Sequence, residues 1–140
     1  MTSSMLVHSN TAGSLRAEQA GQYLHLHWNE GQREDAMIVE LFDRVLTYLL
    51  QTGWRRILVN QQRMQSSSPE VQSWFRADWL PHAASQLGPS RAAIVVGQDV
   101  FTRLATVSLM RDATLTVAEF PDFSYQLFHY EQEAQRWLVG

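Results

Sequence analysis

The sequence predicts a single α/β domain in which helices pack, mainly on one face, against a central mixed sheet. Three observations support this fold class. A chain of 140 residues is long enough for one hydrophobic core and too short for two. Its composition, 45% hydrophobic and 18% charged, is typical of a folded globular protein. Segments with strand periodicity alternate with segments of helical periodicity in the order ββαβαβαβα, and this alternation indicates an α/β layer.

The first predicted elements are a hairpin and a long helix. Apolar and polar residues alternate strictly over 23–28, which predicts a strand with one buried face, paired with 15–19 through a short turn. Over 34–52, apolar residues recur every three or four positions. This spacing predicts an amphipathic helix that Gly53 ends. We expect residues 1–13, ahead of the hairpin, to form a flexible N-terminal segment.

The middle of the chain predicts a short strand and a second helix. The apolar run over 57–59 is typical of a buried strand. Ser68 can cap the next helix, Pro69 fits its first position, and Glu70 suits its positive end. Pro81 should kink or end this helix, although the apolar residues after it favour a further helical turn.

The last third of the chain contains one uncertain segment between clearer elements. A buried strand is predicted over 92–96, and a third helix over about 100–112. The segment 114–120 fits either a strand or a linker. Alternating residues over 123–129 predict the last strand, and a short helix starting at Glu131 closes the chain.

Composition and charge exclude several classes of function. The chain has no Cys, which excludes disulfides and cysteine-based sites, and all eleven basic residues are Arg, which excludes lysine chemistry. A net charge of -3 argues against general nucleic-acid binding. The chain shows neither a signal-peptide pattern nor an apolar run long enough to cross a bilayer. We therefore expect a cytoplasmic protein with no membrane span, no nucleic-acid partner and no cofactor.

Three blocks of sequence are similar to a known family. The segments over 70–81, 92–105 and 128–138 read EVQSWFRADWLP, AAIVVGQDVFTRLA and FHYEQEAQRWL. They resemble the SpoIIAA-like branch of the bacterial STAS superfamily, and with 23–28 and 57–60 the similarity extends over nearly the whole chain. The resemblance implies a small α/β domain, with helices mainly on one face of its sheet, that interacts with proteins or holds a small ligand.

The best understood members of that family are anti-sigma factor antagonists. They are phosphorylated on a serine at the start of the helix after the central strand. The corresponding junction here, 59–69, lacks their Asp-Ser-Ser-Gly pattern and is longer and rich in Gln. The family's phosphosite is therefore not transferred to this chain by resemblance.

Two histidines have the spacing of metal ligands. His25 and His27 lie two residues apart on a predicted strand, so their side chains project from the same face. Two ligands do not close a site, and no third lies at a local spacing. We therefore predict a polar strand face and no metal. The residues that could complete a site from a distance are Glu30, His8, His82 and His129.

The three serines before the second helix have two interpretations. A phosphate at a helix N-terminus would be stabilised by the helix dipole, so Ser67 and Ser68 are candidates for a regulatory phosphosite. An ordinary N-cap preceded by a turn also explains Ser68. No Gly-x-Ser-x-Gly elbow and no Gly-rich phosphate loop is present, and an enzyme is not predicted.

The aromatic residues of the second helix are the strongest candidates for function. Trp74, Phe75 and Trp79 span a wide angle of the helix, so one of them should be partly exposed beside Arg76. We predict a non-enzymatic STAS-like regulatory or interaction domain that binds a protein partner or itself through this helix and the loop 61–69. The alternative is a small carrier that binds an apolar or lipid-like ligand between helices and sheet. The candidate residues are Ser66, Ser67, Ser68, Trp74, Phe75, Arg76 and Trp79.

Overall fold

The architecture is that of an α/β domain with one six-stranded mixed sheet. The structure, a computed structural model, describes residues 4–30, 34–62, 68–97, 104 and 123–140. The strands lie in the sheet in the order in which they occur along the chain. They are β1 (Ser4–Ser9), β2 (Gly13–Glu18), β3 (Tyr23–Trp28), β4 (Arg56–Asn60), β5 (Ser90–Val95) and β6 (Phe123–Phe128). β1, β2 and β3 pair antiparallel, whereas β3 to β6 are parallel.

In the described ranges, three helical segments cover this sheet. The first is α1 (Asp35–Thr52) and the last is α4 (Glu131–Val139). The middle segment runs without interruption through α2 (Pro69–Trp74), a π-helix (Phe75–Trp79) and α3 (Leu80–Leu87). In the described part of the chain, no helix is both long and apolar enough to cross a bilayer.

Most of the predicted boundaries are confirmed, because local chemistry determines them. Gly53 takes the left-handed conformation (φ 81°) and donates its backbone N–H to the carbonyl of Leu49, which ends α1. The Ser68 hydroxyl accepts the backbone N–H of Val71 at 3.1 Å, and Pro69 opens α2. The hairpin of β2 and β3, the strands β4 to β6 and the C-terminal helix also lie where the sequence predicts them.

Pro81 neither ends nor breaks the second helix. The π-helix ends two residues before Pro81, and the Leu80 N–H donates to the carbonyl of Phe75, five residues earlier. A proline in a helix lacks an N–H and its ring crowds the preceding turn. The wider π turn gives that ring room, and the helix continues to Leu87 before Gly88 ends it at φ 68°.

The N-terminal segment contains a strand that the sequence analysis did not predict. β1 pairs with β2 at the edge of the sheet, with a bulge between Leu6 and His8. Met5 and Leu6 are about half exposed, so this strand has no apolar face that periodicity could reveal. It is held by backbone pairing and by docking on α1, where Asn10 after the strand donates to the Met37 carbonyl at 3.0 Å.

Some predictions concern residues outside the described ranges. These are the uncertain segment 114–120, the loop serines Ser66 and Ser67, and the third helix over 100–112, of which only residue 104 is described.

The sheet separates two hydrophobic cores. Leu24, Leu26 and Trp28 of β3 point to the face covered by α1, α2 and α3. Tyr23 of the same strand points to the opposite face, where Leu138 of α4 packs. Three of the four described α-helices thus lie on one face, and we call it the helical face.

Candidate functional site

An apolar cavity of about 70 Å³ lies between the helical face of the sheet and the helices that cover it. Among the described residues, only apolar atoms face it. Its wall combines side chains from α1, the π-helix, α3 and the parallel strands. The main lining residues are Phe42, Val45, Ile57, Phe75, Trp79, Ala83, Ala84, Ala92, Ile94 and Phe123.

Five aromatic side chains form a cluster beside this cavity. Phe42 of α1 is its centre, with ring centroids 4.8 Å from Trp79 and 5.1 Å from Phe75. Trp28 and Trp74 lie 5.5 and 6.0 Å from the same ring. Aromatic pairs at these separations are attractive beyond the area that they bury. We call Trp28, Phe42, Trp74, Phe75 and Trp79 the aromatic cluster.

The structure brings the three predicted aromatic residues together, and two of them point into the cavity. The side chains of Trp74, Phe75 and Trp79 are all partly buried. The ring of Phe75 stacks on that of Trp79, with a centroid distance of 5.6 Å and an interplanar angle of 18°. Both of these rings line the cavity. Arg76, between them in sequence, is also partly buried.

Sequence reasoning missed Phe42 and the small residues of the wall. Phe42 belongs to the apolar stripe of α1, where nothing in its spacing separates it from ordinary core residues. Ala83, Ala84 and Ala92 are buried and small, which leaves the space that larger side chains would fill. No sequence signal marks such a space, since it depends on how three elements meet.

The Ser68 hydroxyl both accepts and donates a hydrogen bond. It caps α2 and also lies 2.9 and 3.0 Å from the two carboxylate oxygens of Asp35, to which it donates. Asp35 is the first residue of α1, so this serine joins the starts of two helices. A phosphate on Ser68 would remove the donated bond and place negative charge against a carboxylate. This geometry weighs against Ser68 as a phosphosite.

We expect Ser68→Asp to lower the free energy of unfolding by about 1 kcal/mol more than Ser68→Asn does. Both side chains can cap α2, but only the aspartate repels Asp35. Urea denaturation of the two variants measures the difference, and adding Asp35→Asn to Ser68→Asp should recover most of it. Equal stability of the two single variants would contradict this electrostatic explanation.

The face opposite the cavity carries a small polar cluster around His25. The Nδ1 atom of His25 lies 3.9 Å from a carboxylate oxygen of Glu18, and its Nε2 atom lies 2.7 Å from one of Glu131. The pair formed by His25 Nε2 and the Glu131 carboxylate does not have the angles of a hydrogen bond, so their interaction is electrostatic only. The His27 ring is 6.3 Å away, edge to face. His8 lies elsewhere, against Glu40 of α1.

The described residues contain no group of three His, Asp or Glu side chains that could hold a metal ion. Burial lowers the pKa of the His25 imidazole, while the carboxylates of Glu131 and Glu18 oppose part of that shift. His27 and Arg16 add to the lowering. The arrangement favours a neutral ring that packs at the start of α4.

We expect the stability of the protein to fall as the pH drops below about 6.5, the ordinary pKa of an unfolded histidine. Because the pKa of His25 is lower in the folded chain, the unfolded chain binds more protons in this range. The midpoints of urea denaturation, measured from pH 7.5 to 5, should show this loss of stability. In the His25→Gln variant, stability should fall less steeply with pH. An unchanged slope in that variant would contradict the assignment. The hydrogen bond from His8 lowers the pKa of Glu40, so this carboxylate changes the stability only at more acidic pH.

No protein-family model matches this chain, and neither a curated protein nor a solved structure matches it. The class of protein therefore follows from the fold and the site alone: an α/β domain with an apolar cavity and an aromatic cluster on the helical face of its sheet. Membership of the STAS superfamily stays a prediction from the sequence blocks quoted above.

Proposed function

We propose that this protein is a non-enzymatic binding domain that holds a small apolar ligand between its helices and its sheet. The observation that carries the proposal is the cavity of about 70 Å³, which only apolar atoms face among the described residues. Apolar cavities bind apolar molecules, because water finds no polar partners on their walls. This role is the carrier alternative of the sequence analysis.

The position of the π-helix supports the proposal. Phe75 and Trp79, at its two ends, both line the cavity. π turns inside α-helices are frequent at functional sites, where they reposition side chains. Here the turn directs two aromatic rings toward the sheet, and an apolar ligand would contact them there.

The first experiment asks whether an apolar molecule occupies the cavity. Organic extraction of the protein purified from its source cells, followed by mass spectrometry, should release a small apolar compound in near-stoichiometric amount. Ala84→Leu, which fills the cavity, should abolish retention of the compound. Ala134→Leu enlarges a buried side chain of α4, on the opposite face of the sheet, and should leave retention unchanged. Equal retention by both variants would contradict the site, and an empty wild-type extract would contradict the function.

A second candidate is the interaction domain expected from the sequence, with its STAS-like ancestry and cytoplasmic location. Ala77 and Asp78 are exposed on the outer side of the π-helix, next to the partly buried Trp74. A protein partner or a second copy of the chain could contact this surface. Ala77→Arg should then abolish the association seen by analytical ultracentrifugation or pull-down, without lowering stability. A strictly monomeric protein that captures no partner would contradict this candidate.

A further inference from the structure

We infer that the buried part of the ligand is a neutral hydrocarbon group no larger than one six-membered ring, and not a group that carries a carboxylate. This inference rests on the proposed function, which it makes more specific. Arg55, Ser90 and Arg91 lie at the wall of the cavity and would suggest an anion site by residue type alone. The contacts of these three residues argue otherwise.

The Arg55 guanidinium is already held by backbone carbonyl groups at the ends of two helices. Its Nε atom donates to the Leu87 carbonyl at 2.8 Å, and its Nη1 atom donates to those of Leu49 and Trp54 at 2.9 and 2.8 Å. Carbonyl groups at a helix C-terminus carry partial negative charge, which offsets the charge of the guanidinium. These bonds fix the guanidinium against the helix ends, and only apolar atoms of the described residues face the cavity.

The contacts of Arg91 and Ser90 also lie away from the cavity. The guanidinium carbon of Arg91 lies 4.2 Å from the ring centroid of Trp137, on α4, which packs on the opposite face of the sheet. The Ser90 hydroxyl donates to the Gly88 carbonyl at 3.1 Å. The polar contacts shown for these three residues are made with backbone or on the far side of the sheet, and only apolar atoms face the cavity, so a buried carboxylate would lack a partner there.

The volume limits the length of the group that can enter. The cavity of about 70 Å³ is about half as large as an engineered apolar cavity of about 150 Å³ that binds benzene. One six-membered ring, or an alkyl chain of similar size, is therefore the largest group that we expect to enter. Ala83, Ala84 and Ala92 contribute buried methyl groups to the wall, so any larger residue there would shorten the space. These alanines are the residues that set the size of the ligand.

The test compares probes that differ in charge and in length. Benzene, benzoate and biphenyl are each titrated into the wild-type protein, and binding is followed by amide chemical shifts in ¹H–¹⁵N spectra. We expect benzene to shift the amides of Ala83 and Ala84, benzoate to bind at least ten times more weakly, and biphenyl to give no such shifts. Ala84→Leu should abolish the benzene shifts, while Ala134→Leu should keep them.

The outcomes separate the two proposals. Tighter binding of benzoate than of benzene would overturn the neutral ligand but leave a binding cavity. Shifts with biphenyl as large as those with benzene would overturn the size limit in the same way. If none of the three probes binds, the proposed function itself is wrong. Should Ala84→Leu fail to fold, Ala83→Val tests the same wall with a smaller increase in volume.

Discussion

Phe42→Ala is expected to lower the free energy of unfolding by about 3 kcal/mol, one of the largest effects of a single substitution in this protein. The Phe42 ring contacts four other aromatic rings at centroid distances of 4.8–6.0 Å. Its removal takes away the contacts that join α1 to the π-helix, and it enlarges the cavity. Larger cavities cost stability in proportion to their volume. Urea denaturation followed by tryptophan fluorescence measures the change.

The matched control for this variant lies two turns later on the same helix. Leu50 is 43% exposed, so Leu50→Ala removes a side chain from α1 without opening the core and should cost less than about 0.5 kcal/mol. The Phe42→Ala variant should also bind larger apolar probes than the wild-type protein does. A loss of stability similar to that of Leu50→Ala would show that the aromatic cluster does not hold the helices together.

Arg55→Met is expected to lower the free energy of unfolding by a similar amount, about 3 kcal/mol. Methionine keeps much of the apolar stem but loses three hydrogen bonds from a charged group to the carbonyls of Leu49, Trp54 and Leu87. These bonds join the end of α1 to the end of α3, just before β4 begins. Lysine should recover only part of the loss, because its ammonium group cannot reproduce the planar geometry of the guanidinium.

The neighbouring arginine provides the control. Among the residues that the structure describes, Arg56 donates one hydrogen bond, from its Nη1 atom to the Gly21 carbonyl at 2.9 Å. Arg56→Met should therefore cost about 1 kcal/mol, and chemical denaturation of the two variants under the same conditions gives the comparison. If Arg55→Met costs no more than Arg56→Met, the carbonyl contacts of Arg55 do not stabilise the junction of the two helices.

Local patterns predicted most of the fold. The alternation in β3, the apolar stripe of α1 and the cap at Ser68 depend on neighbours within a few residues, so they are visible in the sequence. β1 was not predicted, because an edge strand with exposed side chains depends on its pairing partner and not on its own pattern. The π-helix was missed for a related reason. The proline signal shows that a helix is disturbed there, but the surrounding packing decides how the chain accommodates it.

The candidate site was predicted only in part. Trp74, Phe75 and Trp79 were selected from the sequence, while Phe42 and the alanines of the cavity wall were not. The sequence also left open whether the aromatic residues form an outer surface or line a pocket. The direction of Phe75 and Trp79 toward the cavity favours the pocket, and this follows from the way α1 and the sheet meet the π-helix.

By itself, the sequence determined the α/β class, most element boundaries and the lack of cysteine and lysine chemistry, because composition and local periodicity are properties of the chain alone. Only the tertiary structure decided that α4 covers the face opposite the other described helices and that a cavity remains between helices and sheet. An empty space is the difference between the volume that packed elements enclose and the volume of their side chains. That difference exists only once residues distant in sequence have come together.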